Sequence, residues 1–473
     1  MMIDCLFVVV CLHWYLLSFV DGWVMPSPSL QHENKVMLSD TNNDDDCTSR
    51  EEVIELQTYT KRKSPSDTLA DLASACNELG VDEFDVYGDF DLDKQSSYFR
   101  QFEAEVAAYF GKEDGLFCLS GGMAQSIMLA INARNHTSKS GGSGSSFFAC
   151  HPTSHLLLHE NDSYHELLNL EAIIIGDQTS IYNPETIKDS GCYGMEPPIR
   201  LSDVKDLLAS ETSTSHPNQL PVNCTEELST LMIELPHREI GGKLTPWNEV
   251  KEIATLCKEN GINYHCDGAR IVEASAGYGH ESVKETAKPF TSVYISFYKG
   301  LGGISGAMLL GDSDFIAEAR IWLRRFGGNL YTVLPYAISS WAGFRNFSQS
   351  KENIFGHRRD KLVRVLKLLS TDARISSIVE FDPKIPEVNM VHGYLRMPYD
   401  ECMKALDKVE DITGIRVLSR VRSCKEDDDT EGANNQFGCR FEWTMGEANS
   451  LIDDKLFLLG WKTLAQVVDG SNS

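Results

Sequence analysis

An α/β architecture, with a large domain on a mostly parallel central sheet followed by a smaller C-terminal α+β domain, is what this sequence predicts. Three observations carry that expectation. From about residue 62 helical and strand-like segments alternate, the signature of a layered sheet with crossover helices. The runs INYHC (262–266) and SVYISF (292–297) are short buried strands, each followed by glycine-rich turns. Beyond about residue 350 the alternation gives way to a basic helix (HRRDKLVRVLKLL), short strands and a final helix. The expected organisation is a leader over 1–24, a disordered linker over 25–61, the large domain with its N-terminal arm over 62–350, and the small domain over 351–473.

The elements follow in order. Residues 5–20 form an apolar run shorter than the ~20 residues that span a bilayer, but suited to the core of a secretory signal. The flank Met1-Met2-Ile3-Asp4 lacks Lys and Arg, so an extension upstream of initiation at Met25 is the competing reading. Residues 25 to about 60 are polar, include Asn42-Asn43-Asp44-Asp45-Asp46, and show no apolar periodicity, which reads as linker. Leu69, Leu72, Ala73 and Cys76 keep helical spacing up to Gly80, and Phe99, Phe102, Val106 and Tyr109 do so up to Gly111. Both stripes are expected to pack the core. The strand LFCL and the helix MAQSIMLAINA flank a Gly-Gly turn. Residues 180–228, rich in Ser, Thr, Pro and Asn, read as a surface excursion around the helix LSDVKDLLAS. Thr245-Pro246 is an N-cap followed by proline at the first helical position, and that helix should run to Gly261.

Composition narrows the function. With 42% hydrophobic and 24% charged residues the 473-residue chain is of ordinary globular make-up, which argues against wholesale disorder or a multi-span membrane protein. A net charge of -26 would repel a wide phosphate-backbone footprint, so nucleic acid is excluded as a partner, and no membrane association is expected of the mature body. Thirteen cysteines show no CxxC pair, so neither a zinc site nor any other metal is expected. Sequons at Asn135, Asn161, Asn223 and Asn346 do not decide the compartment; secretory or organellar entry and a cytosolic location both stay open.

Three signals carry chemistry. Ser120-Gly121-Gly122-Met123 joins a strand to a helix, where unpaired N–H groups meet a helix dipole and glycine lets a phosphate approach the backbone. Asp267 ends the strand INYHC, at the sheet edge where ligands of parallel sheets collect, and is followed by Gly268-Ala269-Arg270. Lys299 stands at the end of the next strand, ahead of Gly300-Leu301-Gly302-Gly303. An amine for a Schiff base, an acid for a pyridine nitrogen and N–H donors for a phosphate are what pyridoxal 5'-phosphate needs.

These residues stand among ordered motifs that resemble those of the threonine aldolase and aromatic amino acid β-eliminating lyase family of fold-type-I pyridoxal phosphate enzymes. The resemblance covers most of 64–445: Ser66-Asp67-Thr68, Asp85-Val86-Tyr87-Gly88, the SGGMA turn, Ser154-His155 with Glu160, Glu234-Leu235-Pro236-His237, Asp267-Gly268-Ala269-Arg270, Lys299-Gly300-Leu301-Gly302 and Arg440-Phe441-Glu442-Trp443. It implies that Lys299, Asp267, Arg270, Gly121, Gly122, Met123 and His155 hold the cofactor, with His155 stacked on its ring. It further implies that Arg440 and Arg270, with Ser66 and Tyr87, bind the substrate, its carboxylate lying in a guanidinium fork. His237, or alternatively a bound water, would take the β-hydroxyl proton. The activity implied is cleavage of L-threonine and related β-hydroxy-α-amino acids to glycine and an aldehyde, in a homodimer or homotetramer. Two departures mark a divergent branch: Gly122 stands where the family has threonine, and Asn329-Leu330-Tyr331-Thr332 stands where it carries an arginine. β-Elimination on the same cofactor, or a non-catalytic homologue, are the alternatives.

Overall fold

The computed structural model describes residues 53–471 except 90–91, 95, 141–146, 177–179, 182–194, 210–225 and 425–436. The expected leader, the linker up to residue 52 and most of the 180–228 excursion lie outside the described residues. The strands in chain order are β1 (Ile54–Glu55), β2 (Asp114–Cys118), β3 (Phe147–Cys150), β4 (Glu171–Ile174), β5 (Ser180–Ile181), β6 (Leu228–Glu234), β7 (Asn263–Asp267), β8 (Ser292–Ser296), β9 (Ala307–Gly311), β10 (Val379–Asp382), β11 (Met390–Leu395), β12 (Ile415–Arg416), β13 (Arg422–Ser423) and β14 (Cys439–Thr444).

The large sheet has the order β2-β9-β8-β7-β6-β3-β4-β5. Its centre, β8 through β4, is parallel, whereas β9 runs against both neighbours and β5 against β4. Successive residues of one strand enter opposite cores: Met308 and Leu310 pack with Ile233, Cys266 and Val293 on one face, Leu309 with Leu116, Met232 and Tyr294 on the other. A sheet covered on both faces has no polar side to spare, which is why its strands read as unbroken apolar runs. Each fully buried aliphatic side chain stabilises the fold by roughly 1.5–3 kcal/mol.

The helix Tyr98–Phe110 obeys its sequence pattern. Ser97 caps it by accepting from the Arg100 N–H at 3.1 Å, Phe99, Phe102 and Val106 are buried, and Gly111 ends it at φ 71°. Helix Pro65–Leu79, capped by Ser64, stops at Gly80 as expected but does not show the expected burial. Leu69 is 67% exposed and Ala75 is the residue it buries, because helical periodicity says that one face is apolar without supplying an element to cover it. The helix expected from Pro246 starts one residue later, over Trp247–Glu259, with Pro246 at the N-cap. The Thr245 hydroxyl instead donates to the Ile199 carbonyl at 3.0 Å.

The C-terminal part carries the antiparallel sheet β10-β11-β14-β13. Along β14, Cys439, Phe441 and Trp443 enter a core with Leu362, Val391 and Trp461, leaving Arg440, Glu442 and Thr444 on the other face. The linker expected through residue 61 is corrected from residue 54 onward: β1 pairs in parallel with β12, and Leu56 is fully buried in this second core. Gln57 fastens the strap. Its carbonyl accepts from the Ser419 and Arg420 N–H groups at 2.8 and 2.7 Å, and its amide donates to the Arg420 and Glu442 carbonyls at 3.1 and 2.7 Å. Four satisfied bonds on a short polar side chain explain why a sequence without apolar periodicity is held.

Candidate active site

The carboxyl ends of the parallel strands gather the chemistry. β7 ends on Asp267, which is buried; its Oδ1 accepts the Ala269 N–H at 3.1 Å and its other oxygen accepts from the Gln125 amide. Gln125 lies one turn into the helix Gly121–Ser140, so i, i+4 spacing points its side chain along the face that carries the glycine turn. Lys299 lies just past β8, and its amine is drawn below its ordinary pKa by burial, with Asp267 the largest opposing influence and Arg270 adding to the lowering. Asp267 and Lys299 thus lie within electrostatic reach of each other.

Glu234 stands beside Asp267 in register at the end of β6. Burial and the Asp267 charge push its carboxyl up to about 7, while its Oε1 accepts the His155 N–H at 2.6 Å. A proton held on Glu234 removes a like charge from the flank of Asp267. His155 opens the short helix His155–His159, with its Nε2 3.3 Å from Glu160.

The glycine turn is tight. A Cβ at Gly121 would lie 2.2 Å from the Tyr294 hydroxyl, and one at Gly122 would lie 2.3 Å from Glu160 Oε2. A side chain at position 122 would therefore need the Glu160 carboxylate to move. The Gly121 and Gly122 N–H groups have no acceptor among the described residues, and the Met123 N–H reaches Ser120 Oγ at 3.3 Å. The other divergent run is braced by the Asp-Val-Tyr-Gly segment. The Tyr87 N–H donates to the Tyr331 carbonyl at 2.8 Å, their rings meet edge to face at 5.5 Å, and Asp85 accepts from Thr332 Oγ1 at 2.7 Å.

His237 is 3% exposed, and burial lowers its pKa to about 4, so it is neutral at ordinary pH. Its Nε2 lies 3.0 Å from Thr153 Oγ1 and 3.4 Å from the Thr153 carbonyl. A carbonyl can only accept, so Nε2 carries the proton and Nδ1 keeps the free lone pair. His151, lowered to about 3 by burial and by His237, supports the same arrangement from the other side: its Nε2 donates to the Pro197 carbonyl at 3.1 Å and its Nδ1 accepts the Thr153 N–H at 3.1 Å.

The small sheet supplies the cationic side. Arg440 is 4.0 Å from Glu239, and Arg238 joins Glu239 at 3.0 Å and Glu442 at 2.7 Å. His159 Nε2 also reaches Glu239, at 2.9 Å. Arg270 caps the helix Ile271–Tyr278, with Nε 4.0 Å from Glu273. Ser66 and Tyr87 are both exposed, and the Ser66 hydroxyl bonds to that of Ser64 at 2.8 Å. Gln125, Thr153, His151, Arg238 and Glu239 were given no role by sequence reasoning. For Gln125 the i+4 spacing from Gly121 was the available signal; for the others there was none.

The donor set fits pyridoxal phosphate: a desolvated amine, a buried carboxylate at the next strand end, and two unengaged N–H groups at a helix N-terminus whose glycines leave no space for side chains. Among the described residues no cluster could hold a metal ion, and no helix is long and apolar enough to cross a membrane.

Comparison with known proteins agrees. The family model described as beta-eliminating lyase matches residues 66–354. A low specificity L-threonine aldolase of Saccharomyces cerevisiae is 27% identical over 269 residues, covering 56% of this chain and 58% of that protein. An alanine racemase of Cochliobolus carbonum is 26% identical over 252 residues, covering 53% and 55%. The matches thus span less than two thirds of these curated relatives. Among solved structures, a putative L-allo-threonine aldolase of Listeria monocytogenes has a TM-score of 0.66 at 28% identity, covering 88% of this chain and 97% of that one. A putative aromatic amino acid beta-eliminating lyase/threonine aldolase of Exiguobacterium sp. likewise has a TM-score of 0.66, at 27% identity over 88% and 98%.

Proposed function

The chain belongs to the beta-eliminating lyase family, whose members depend on pyridoxal phosphate, and from that premise we propose that it is an aldolase cleaving L-threonine and related β-hydroxy-α-amino acids to glycine and an aldehyde. What supports the reading is that Lys299, just past the end of β8, and Asp267, at the end of the neighbouring β7, lie within electrostatic reach of each other, with His237 buried and neutral. When bound, the cofactor supplies an electron sink for the carbon that loses its side chain.

In this reading Lys299 is the attachment amine. Its depressed pKa raises the share of neutral amine that can act as a nucleophile. Asp267, held in orientation by Gln125 and the Ala269 N–H, would pair with the ring nitrogen, and the Gly121, Gly122 and Met123 turn would hold the phosphate. His155 would be the group placed against the ring. Arg440 and Arg270 orient the substrate carboxylate by two-point geometry. His237 Nδ1 accepts the β-hydroxyl proton, with Thr153 fixing the tautomer that leaves that nitrogen free. Ser66 and Tyr87, exposed within one chain, contribute to a site completed by a second copy in a homodimer or homotetramer.

The test is incubation of cofactor-loaded protein with L-threonine, with released aldehyde trapped and glycine quantified, beside Lys299→Ala. Equimolar glycine and acetaldehyde, lost in the variant together with the visible absorbance of the lysine-bound cofactor, is the expected result. Ammonia with a keto acid would replace this reading by β-elimination.

A further inference from the structure

Next to the candidate site lies a cavity of about 510 Å³ whose lining, among the described residues, has five arginines, Arg62, Arg238, Arg420, Arg422 and Arg440, and two acids, Glu239 and Glu442. In a chain of net charge -26, a concave surface where described arginines outnumber acids concentrates positive charge and favours an anion. Its volume lies within the ~300–1,000 Å³ range of pockets that enclose ligands far larger than threonine.

The charges are not used up internally. Arg238 is engaged by Glu442 and Glu239, and Arg62 by Glu55 at 2.9 Å. The Arg420 and Arg422 guanidinium groups have no ion-pair partner among the described residues. Arg422 on β13 is moreover the direct cross-strand partner of Arg440 on β14. Side chains of such partners share one face with Cβ atoms about 5 Å apart, and like charges placed there repel. The fold nevertheless holds them: Gln57 grips the Arg420 backbone through both its N–H and its carbonyl, so the arginine wall is built into the strap.

We propose that this pocket holds a second carboxylate of the substrate, beside the one at Arg440, so that the preferred substrate is a β-hydroxy-α-amino acid with an acidic side chain. The inference rests on the aldolase reading above. Carboxylates on adjacent carbons, as in 3-hydroxyaspartate, suit guanidinium groups on directly opposed residues. The reaction balances without a co-reactant: the Cα–Cβ bond breaks, the β-hydroxyl loses its proton as the carbonyl forms, and the electron pair left on Cα takes a proton. The products are glycine and glyoxylate.

The experiment measures binding and turnover on cofactor-loaded protein. Calorimetric titration with malate, lactate and inorganic phosphate is run on wild type, Arg422→Gln and Arg420→Gln, and the ratio of kcat/KM for 3-hydroxyaspartate over threonine is measured in the same proteins. Malate should bind at least tenfold tighter than lactate, and the turnover ratio should fall by about 10- to 100-fold in Arg422→Gln, the value of one charge-assisted bond. Equal binding of malate and lactate, or an Arg422→Gln ratio equal to wild type, overturns the proposal. Phosphate binding as tightly as malate also overturns it, since the pocket would then take a free anion. If neither substrate yields glycine while the malate preference persists and is lost in Arg422→Gln, the aldolase reading fails and the two-carboxylate pocket is supported.

Discussion

Placing the family's threonine at position 122 tests the account of the glycine turn. The Cβ alone would approach Glu160 Oε2 to 2.3 Å, whereas ordinary contact begins at 3.4 Å, so the carboxylate must retreat by about 1.1 Å. The retreat separates Glu160 from His155, now 3.3 Å apart with both side chains partly exposed, and a pair of that kind is worth at most about 1 kcal/mol. Crowding of a packed site adds roughly 1–3 kcal/mol, less what a flexible carboxylate recovers by rotating. Gly122→Thr should therefore lose about 1–3 kcal/mol, seen as a fall of a few degrees in Tm. Glu160→Ala removes the obstruction, so in the double variant the two effects should be coupled rather than additive. The added hydroxyl should then tighten cofactor phosphate binding about tenfold relative to Glu160→Ala, measured by titration of the visible band. An unchanged Tm in Gly122→Thr, or an equal loss in the presence and absence of Glu160, would refute the idea that the carboxylate occupies the threonine's space.

Other expectations follow from the same geometry. Gln125→Ala leaves a buried Asp267 oxygen without its donor and should weaken cofactor binding by about 1–3 kcal/mol in equilibrium titration, while Gln125→Glu should be worse. Thr153→Val removes the hydroxyl that orients His237; kcat/KM for threonine should fall by about 10- to 100-fold with a shifted pH-rate profile, and an unaltered profile would rule out an orienting role. Burial lowers His392 to about 4 against an unfolded value of about 6.5, so its contribution is fully present above about pH 6.5 and is lost towards pH 4, at about 1.4 kcal/mol per pH unit. His392→Phe should flatten that part of the Tm-pH curve. Glu273, raised by burial to about 7, acts with the opposite sign: its contribution is present below about pH 4.5 and fades as pH rises to about 7, and Glu273→Gln should remove the slope.

The residues legible in sequence were those whose meaning is local. Asp267 and Lys299 announce themselves because one ends and the other closely follows a short apolar strand, each is followed by glycine, and those two strands are parallel neighbours. Distant registers are another matter. Nothing near Gln57 in the chain shows that it will be bonded to Arg420 and Glu442, and nothing near Arg422 shows that Arg440 will face it. His151 and Thr153 were silent because their roles depend on which carbonyls they meet. The stripe of Leu69 and Leu72 misled for a related reason: amphipathic spacing records what a helix offers, while its burial is decided by elements elsewhere.

The alternation along β14 has an evolutionary consequence. One set of its side chains is locked into a core by neighbours such as Trp461, while the intervening set, Arg440 and Glu442, fronts the cavity. Substitutions at residues that face that row, such as Arg422 on β13, can alter which molecules are admitted while Arg440 and the amine and acid of the other sheet are left in place. A lineage could therefore drift in diet while its chemistry stayed still, and paralogues should differ first on β13 and the strap opposite Arg440.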